Sequence, residues 1–250
     1  MEKLYLSVVI PAYNEETNIR LGALDKVSRY METRPYSWEI VLVDDGSTDG
    51  TGPLLDDYAR STRRFRVIHN QHQGKAATVI SGSLASRGAI VLFTDLDQAT
   101  PISEIGKILA WFEKGYDVII GSRSGRREGA PLTRIAMARG FMWLRSMILG
   151  LHGITDTQCG FKAFRKDVAR DIFGRLKLFG NLHVVKGSNV TAGFDIEVLF
   201  IANKLGMKIK EVPVDWHYVE TRRVSPIRDS WQGLLDILNI RLNAWKGLYR

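Results

Sequence analysis

The chain has 250 residues, 45% of them hydrophobic and 25% charged, which excludes a disordered or fibrous protein and provides enough material for a sizeable core. Its 35 basic and 27 acidic residues give a formal net charge of +8, which favours anionic partners such as phosphates, acidic lipid surfaces or nucleic acid. The single cysteine, Cys159, excludes an internal disulfide, argues against a thiolate metal site and predicts a reducing, cytoplasmic compartment.

The N-terminal half alternates strand and helix patterns along the chain. The strands are β-branched apolar runs without polar alternation, which predicts a parallel sheet that is buried on both faces. Together with the intervening helices, this pattern predicts a doubly wound α/β fold. We predict strands over 6–10 (ending at Pro11), 38–43, 65–69, 89–94 and 118–121, and helices over 14–31 with Asn14 as a possible cap, up to about 62 after the turn at 44–50, and over 75–86 and 102–114.

The second half is richer in helical patterns. Helices are predicted over 131–149, from 166, over 194–205 and from 228 to the C-terminus, with a strand over 208–213. No internal repeat or Pro/Gly/Ser-rich linker is visible, so one compact unit is expected. No signal peptide is apparent, and no apolar window reaches the roughly 18 residues that a membrane span needs.

Two carboxylates flank one apolar residue directly after the fourth predicted strand, in Asp95-Leu96-Asp97. Open α/β sheets bind ligands where parallel strands run out into loops. Carboxylate oxygens there suit Mg²⁺ or Mn²⁺ holding a diphosphate. In isolation the tripeptide is also compatible with a solvated turn or a helix cap.

Further motifs follow the other strands and should lie at the same edge of the sheet. Pro11-Ala12-Tyr13-Asn14-Glu15 follows the first strand, the acidic run 43–50 (VDDGSTDG) ends the second, and Gly74-Lys75 precedes a helix. A strand-end turn before a capped helix would explain the first motif, and an Asx turn the second. The third lacks the spacing of a Walker loop.

These motifs, in this order, resemble those of inverting family 2 glycosyltransferases with a GT-A fold. Three later segments, 121–123 (GSR), 156–162 (DTQCGFK) and 193–197 (GFDIE), are similar to the polyprenyl-phosphate branch of that family, particularly dolichyl-phosphate glucosyltransferases. The resemblance implies a single GT-A domain over 1–250. Residues 1–125 would form its nucleotide-sugar half, 126–225 its acceptor half and 226–250 a C-terminal amphipathic segment.

The same resemblance implies a role for individual residues of the donor site. Asp97 would ligate the Mg²⁺ or Mn²⁺ ion, Asp95 would contact the ribose or a metal-bound water, and Gln98 would bind the sugar or its phosphate. Asp44 would accept a hydrogen bond from the ring N–H of uracil. The remaining nucleotide-sugar contacts are expected from Pro11, Ala12 and Tyr13 beside the base, Glu15 at the loop or ribose, Gly46 and Ser47 in the acidic turn, and Gly74 and Lys75 near the nucleotide.

The acceptor implied by the resemblance is a polyprenyl phosphate. A phosphate monoester is largely dianionic at neutral pH, so it needs cations more than a catalytic base. The expected acceptor-binding residues are Arg123, Arg134 and Arg139, with Asp156 and Gln158 lining the sugar and acceptor pocket. Asp195 would either orient the acceptor loop or cap a helix. Arg222 and Arg223 would belong to a loop that closes over the diphosphate, or to an ordinary solvated turn.

The C-terminal pattern interleaves Trp and Tyr with cations and predicts an amphipathic helix. It could lie in the interface of a bilayer, at the cytosolic face, or pack on the core. The expected reaction is metal-dependent transfer of glucose from UDP-glucose to a polyprenyl phosphate. GDP-mannose as donor and a sugar hydroxyl as acceptor remain alternatives. A nucleic-acid partner is disfavoured because no RNA or DNA motif accompanies the basic residues, and the oligomeric state stays open.

Overall fold

The computed structural model describes residues 4–123, 132–180, 192–217 and 226–249, with the side chains at 132–139, 192 and 226–230 left aside. Its strands are β1 (Leu6–Ala12), β2 (Trp38–Asp44), β3 (Phe65–His69), β4 (Ile90–Phe93), β5 (Val118–Ser122), β6 (Lys162–Arg165) and β7 (Ile209–Pro213). Its helices are α1 (Glu16–Arg20), α2 (Ala23–Glu32), α3 (Thr51–Ser61), α4 (Lys75–Ala85), α5 (Ile105–Glu113), α6 (Leu132–Leu149), α7 (Lys166–Arg175), α8 (Ala192–Lys204) and α9 (Pro226–Trp245).

The described strands form one sheet in the order β3-β2-β1-β4-β6-β5-β7. All neighbouring pairs are parallel except those of β6, which is antiparallel to both β4 and β5. Alternate residues of β1 point to opposite faces, with Val8 in one apolar cluster and Val9 in the other. Helices α2, α3 and α5 cover the first face, and α4, α7, α8 and α9 contribute to the second. The predicted doubly wound, mostly parallel α/β fold is therefore confirmed.

The predicted elements differ from the observed ones at several places. Asn14 does not cap α1, whose N-cap is Glu15; the Asn14 side chain instead accepts a hydrogen bond from Thr48 N at 2.9 Å. The helix expected over 14–31 is two helices, because Gly22 adopts a φ of 81° between α1 and α2. Pro11 does not end β1, which continues to Ala12. Its missing N–H costs nothing on the β4 side, because β4 pairs only with residues up to Val9. Strand β6 was not predicted, since its four residues, Lys162–Arg165, carry cations at both ends.

None of the helices in the described ranges is both long and apolar enough to cross a bilayer.

Candidate active site

An aromatic pair lies beside the end of β1. The rings of Tyr13 and His72 stack at a centroid distance of 4.0 Å and an angle of 6°. His72 Nδ1 lies 2.9 Å from Asp45 Oδ2, which fixes the plane of the imidazole. Gly46, at a φ of 68°, passes so close to the His72 backbone that a Cβ would lie 2.9 Å from its nitrogen. The ring of His72 thus covers one face of Tyr13 at the predicted base site.

Asp44 and Asp45, at the end of β2, are both buried, and each organises a different loop. Asp44 accepts a hydrogen bond from Ser47 N at 3.1 Å and lies 3.1 Å from His69 Nδ1. The pKa of His69 is raised, first by Asp56 and then by Asp44. The carboxylate that was predicted to bind the base is therefore also part of the turn that follows β2.

Asp45 braces the loop that leads into α4. Its Oδ1 accepts from Gln73 N at 2.9 Å and its Oδ2 from Gly74 N at 2.8 Å, while Ala12 O accepts from Asp45 N at 2.9 Å. Gly74 has a φ of 90°, a conformation that glycine adopts most readily. The contacts of Asp45 connect the end of β1 to the start of α4, which carries Lys75.

The loop after β4 contains the carboxylates predicted to hold a diphosphate and metal. Asp95 forms an ion pair with Lys75, and its carboxylate packs against Gly160, where a Cβ would lie 2.2 Å from Asp95 Oδ2. Asp97 Oδ1 accepts from Ala99 N at 3.0 Å. The side chain of Gln98 is used within the loop: its Nε2 donates to Asp95 O and its Oε1 accepts from Ile102 N.

The oxygen ligands of this loop fit Mg²⁺ or Mn²⁺. No group of three or more His, Cys, Asp or Glu side chains with metal-binding geometry occurs within the described ranges. A cation that is held by one or two carboxylates and by substrate phosphates needs no such group, and this arrangement is common for Mg²⁺. Lys75 pairs with Asp95, and the assignment of the metal chiefly to Asp97 stays a prediction.

Arg123, directly after β5, and Asp156 form a bidentate ion pair. Arg123 Nε and Nη2 donate to the two carboxylate oxygens at 2.7 and 2.8 Å, and Arg123 N donates at 3.0 Å. Burial acts to raise the pKa of Asp156, but the hydrogen bonds and charge of Arg123 outweigh it and hold that pKa at about 2. The guanidinium also lies 5.8 Å from the centre of the Trp216 ring.

Buried polar contacts support the loop that carries Asp156. Glu211 on β7 accepts from Thr155 N and Asp156 N at 2.7 and 2.8 Å. Arg145 on α6 is 3% exposed and donates to Thr157 Oγ1 and Ile154 O. Burial lowers the pKa of Arg145. Within the loop, Gln158 N donates to Asp156 Oδ1 at 3.0 Å. Contacts from β7 and from α6 therefore hold the loop from outside.

The two acidic residues near the start of α8, Asp195 and Glu197, have different partners. Asp195 accepts a hydrogen bond from Lys162 Nζ at 2.6 Å. Glu197 is fully buried and accepts from three backbone N–H groups at 177–179 and from the Tyr249 hydroxyl at 2.7 Å. Glu197 therefore stabilises the fold, whereas Asp195 pairs with Lys162 and stays partly exposed.

Some predicted site residues cannot be compared with the structure. Arg134 and Arg139 lie on α6, but their side chains fall outside the described residues, as do Arg222 and Arg223 entirely. Pro11 and Ala12 are the last two residues of β1, as their position in the sequence predicted. Glu15 follows in the next loop, where its N–H donates to Thr51 Oγ1 at 2.7 Å. Sequence reasoning missed His72, Lys162 and Trp216, which carry no spacing signal because their partners are distant along the chain.

The chain resembles known proteins over nearly its whole length. The family model described as glycosyl transferase family 2 matches residues 7–173. The chain belongs to glycosyl transferase family 2. It is 34% identical to a dolichyl-phosphate β-glucosyltransferase from Saccharomyces cerevisiae, with 100% of this chain and 78% of that protein covered. It is 31% identical to the Homo sapiens protein of the same name, covering 98% and 77%. These findings establish a glycosyltransferase.

Solved structures of glycosyltransferases share the fold. Mannosyl-3-phosphoglycerate synthase from Rubrobacter xylanophilus matches with a TM-score of 0.67 at 18% identity, covering 98% of this chain and 75% of that one. A glucosyl-3-phosphoglycerate synthase from Mycobacterium tuberculosis, solved with Mn²⁺, UDP and its product, matches with a TM-score of 0.63 at 20% identity, covering 95% and 80%. The family 2 transferase thus has the GT-A fold expected from its motifs.

We predict that Asp45→Asn destabilises this glycosyltransferase by about 1–3 kcal/mol. An amide offers one acceptor oxygen where two backbone N–H groups now donate, so one buried donor loses its partner. The matched control is Asp57→Asn, whose carboxylate is exposed and pairs with Arg60. Urea unfolding measures the free energy of unfolding of both variants. Equal stability of both variants would contradict the bracing role.

Proposed function

We propose that this glycosyltransferase transfers glucose from UDP-glucose to a polyprenyl phosphate of the dolichyl type, with inversion at the anomeric carbon. The observation that carries the proposal is the near full-length likeness, at 31–34% identity, to proteins named dolichyl-phosphate β-glucosyltransferase in several eukaryotes. The strand-edge carboxylates and the buried ion pairs of the cleft support it. Residues 1–125 would serve the donor, 126–225 the acceptor and 226–250 the membrane surface.

The donor would lie along the path from Tyr13 to Asp97. In this proposal Tyr13 stacks on the uracil ring and Asp44 accepts from the ring N–H. Lys75, beside Asp95, provides a cation near the phosphates. Asp97 would hold Mg²⁺ or Mn²⁺, which when bound supplies positive charge to the departing diphosphate.

The acceptor side supports a phosphate rather than a sugar hydroxyl. A hydroxyl acceptor needs a base whose pKa lies near the working pH, and a phosphate monoester does not. Asp156, with a pKa of about 2, is a poor base at neutral pH. Arg123 uses Nε and Nη2 to hold Asp156, so an acceptor phosphate would bind along its Nη1 edge. Arg134, Arg139 and Gln158 would complete the acceptor site, with Arg222 and Arg223 closing over the diphosphate.

A panel of nucleotide sugars and short polyprenyl phosphates tests the proposed function, with product mass as the readout. The expected product is polyprenyl phosphate plus one hexose, formed from UDP-glucose and dependent on Mg²⁺ or Mn²⁺. Mannose transfer from GDP-mannose, or glucose transfer to a sugar hydroxyl in place of the lipid phosphate, would overturn the assignment of donor or acceptor.

Asp97→Asn should abolish transfer and leave folding intact. The substitution removes the charge of a proposed metal ligand without deleting core volume. The measurements are turnover as a function of Mn²⁺ concentration and the thermal unfolding midpoint. Asp171→Asn, an exposed acid on α7, is the matched control and should behave as the parent chain. Parental turnover with an unchanged Mn²⁺ response would refute the metal assignment to Asp97.

Arg123→Ala should raise the apparent KM for polyprenyl phosphate at least about tenfold. The variant loses a charge-assisted contact and leaves Asp156 as an unpaired anion facing an anionic acceptor, and such contacts contribute about 1.5–3 kcal/mol. Arg123→Lys should rescue only in part, because an ammonium cannot engage Asp156 and a phosphate with a planar fork.

The control for Arg123→Ala is Arg60→Ala, an exposed arginine paired with Asp57. UDP affinity should stay the same in both variants. Asp156→Asn should not remove an ionisation from the pH–rate profile between pH 5 and pH 8, since the carboxyl titrates at about pH 2. A lost ionisation in that range would favour a hydroxyl acceptor and Asp156 as its base.

We further propose that α9 contacts the cytosolic membrane surface where a polyprenyl phosphate would reside. Helix α9 is apolar on both sides. Its inner side buries Ile237 and Ile240, and its outer side exposes Trp231, Leu235, Leu238, Leu242 and Trp245 at alternating steps of four and three residues. On α6, which packs against α9, Trp143 and Met147 are also exposed.

Charge favours a bilayer as the partner of this outer side. Arg241 lies 5.3 Å from the centre of the Trp245 ring, and Lys246 follows directly, so cations border the apolar stripe. Interfacial helices with this combination bind anionic lipid surfaces through buried apolar area and electrostatic attraction. A second copy of the chain would instead match an apolar stripe with an apolar stripe and leave these cations without counter-ions.

Trp231→Ser/Trp245→Ser should weaken binding to vesicles of phosphatidylcholine and phosphatidylglycerol at least about tenfold, because two exposed indoles leave the interface. Co-sedimentation measures the binding, and Leu21→Ser, at a leucine 72% exposed between α1 and α2, is the matched control. Unchanged vesicle binding would contradict the proposal. A parent chain that dimerises while the double variant stays monomeric would assign the stripe to a second copy.

A further inference from the structure

A fully buried lysine at the start of β6 pairs with a carboxylate that is partly exposed. Lys162, at the start of β6, is 0% exposed. Its ammonium donates to Cys159 O and to Asp195 Oδ1, the latter at 2.6 Å, and lies 5.4 Å from the centre of the Phe93 ring. The side chain of Asp195 retains 17% exposure. The pair therefore presents a carboxylate, and not the cation, to the surface.

The sheet places this pair between the proposed donor and acceptor sites. Lys162 is in register with Phe93 on β4, two residues before Asp95. The loop just before β6 carries Gly160, which contacts Asp95. Burial acts to lower the pKa of Arg123, but Asp156, with a smaller contribution from Asp195, raises it above its usual value. Asp195 thus lies close enough to Arg123 to act on it electrostatically.

The charge of Asp195 decides which part of a substrate it can meet. A polyprenyl phosphate and a nucleoside diphosphate are both anionic, and a carboxylate at close range repels both. The buried ammonium of Lys162 has this carboxylate as its counter-charge, and a buried ammonium without one would be costly. An ionised carboxylate only accepts hydrogen bonds, and the neutral donors that the transferred sugar offers are its hydroxyl groups.

We propose that Lys162 holds Asp195 so that its other carboxylate oxygen accepts a hydrogen bond from a hydroxyl of the transferred sugar, which makes Asp195 a determinant of donor specificity. The inference rests on the proposed function and changes the predicted role of Asp195 from the acceptor to the donor sugar. Lys162 acts as a positioning residue, since it contacts the substrate only through Asp195.

The test pairs Asp195→Asn with UDP-glucose and with its 2-, 3-, 4- and 6-deoxy analogues. The variant should lose about 10- to 100-fold in kcat/KM with UDP-glucose, because a charge-assisted contact to a substrate hydroxyl is lost. With the one deoxy analogue that lacks this hydroxyl, parent and variant should differ less than about twofold. UDP affinity and the KM for polyprenyl phosphate should not change, and Asp57→Asn should match the parent throughout.

Two results would overturn the inference. An equal loss with every donor would show that the ion pair only supports the fold, and a raised KM for the acceptor with unchanged donor selectivity would return Asp195 to the acceptor site. If Asp195→Asn does not fold, Lys162→Met/Asp195→Leu removes both buried charges and enters the same panel. A parent chain that transfers no glucose to polyprenyl phosphate refutes the proposed function itself, which separates the two failures.

Discussion

The main-chain pairing of β6 with β4 and β5 is the interaction on which the cleft depends. An antiparallel strand starts at the edge where its parallel neighbours end. The loop before β6 therefore arrives beside the loop after β4, and Gly160 comes into contact with Asp95. The same strand carries Lys162 to the base of the cleft. This strand therefore helps to fix the segment around Asp156 relative to Asp95.

Pairing of opposite charges is the second organising constraint. Within the described chain, Asp95 pairs with Lys75, Asp156 with Arg123 and Asp195 with Lys162. Each carboxylate thereby has a cation beside it, so these pairs add little net negative charge that would repel a diphosphate or a phosphate acceptor. The pairs also differ in exposure: Lys162 is hidden, whereas the side chain of Asp95 is 37% exposed. The more accessible pair is the one nearest the proposed metal site.

Motifs at strand ends were predictable because a local pattern is enough to define them. Tyr13, Asp44 and Asp95 each follow an apolar run, and the carboxyl edge of a parallel sheet brings such positions together whatever their separation in sequence. The separate roles of the two aspartates in the acidic turn could not be predicted from the sequence. Asp44 and Asp45 are adjacent and chemically identical, yet the first belongs to the turn and the second braces the start of α4.

The sequence by itself determined the order of strands and helices, the burial of the sheet on both faces, the family and the carboxyl-edge motifs, since these depend on periodicity and on short contiguous segments. Tertiary structure alone decided the insertion of β6, the stack of His72 on Tyr13, and the partners of Arg123 and Lys162. The physical reason is that a lysine or arginine in a short polar segment normally favours water. Only the meeting of distant carboxylates across the folded sheet makes its burial stable.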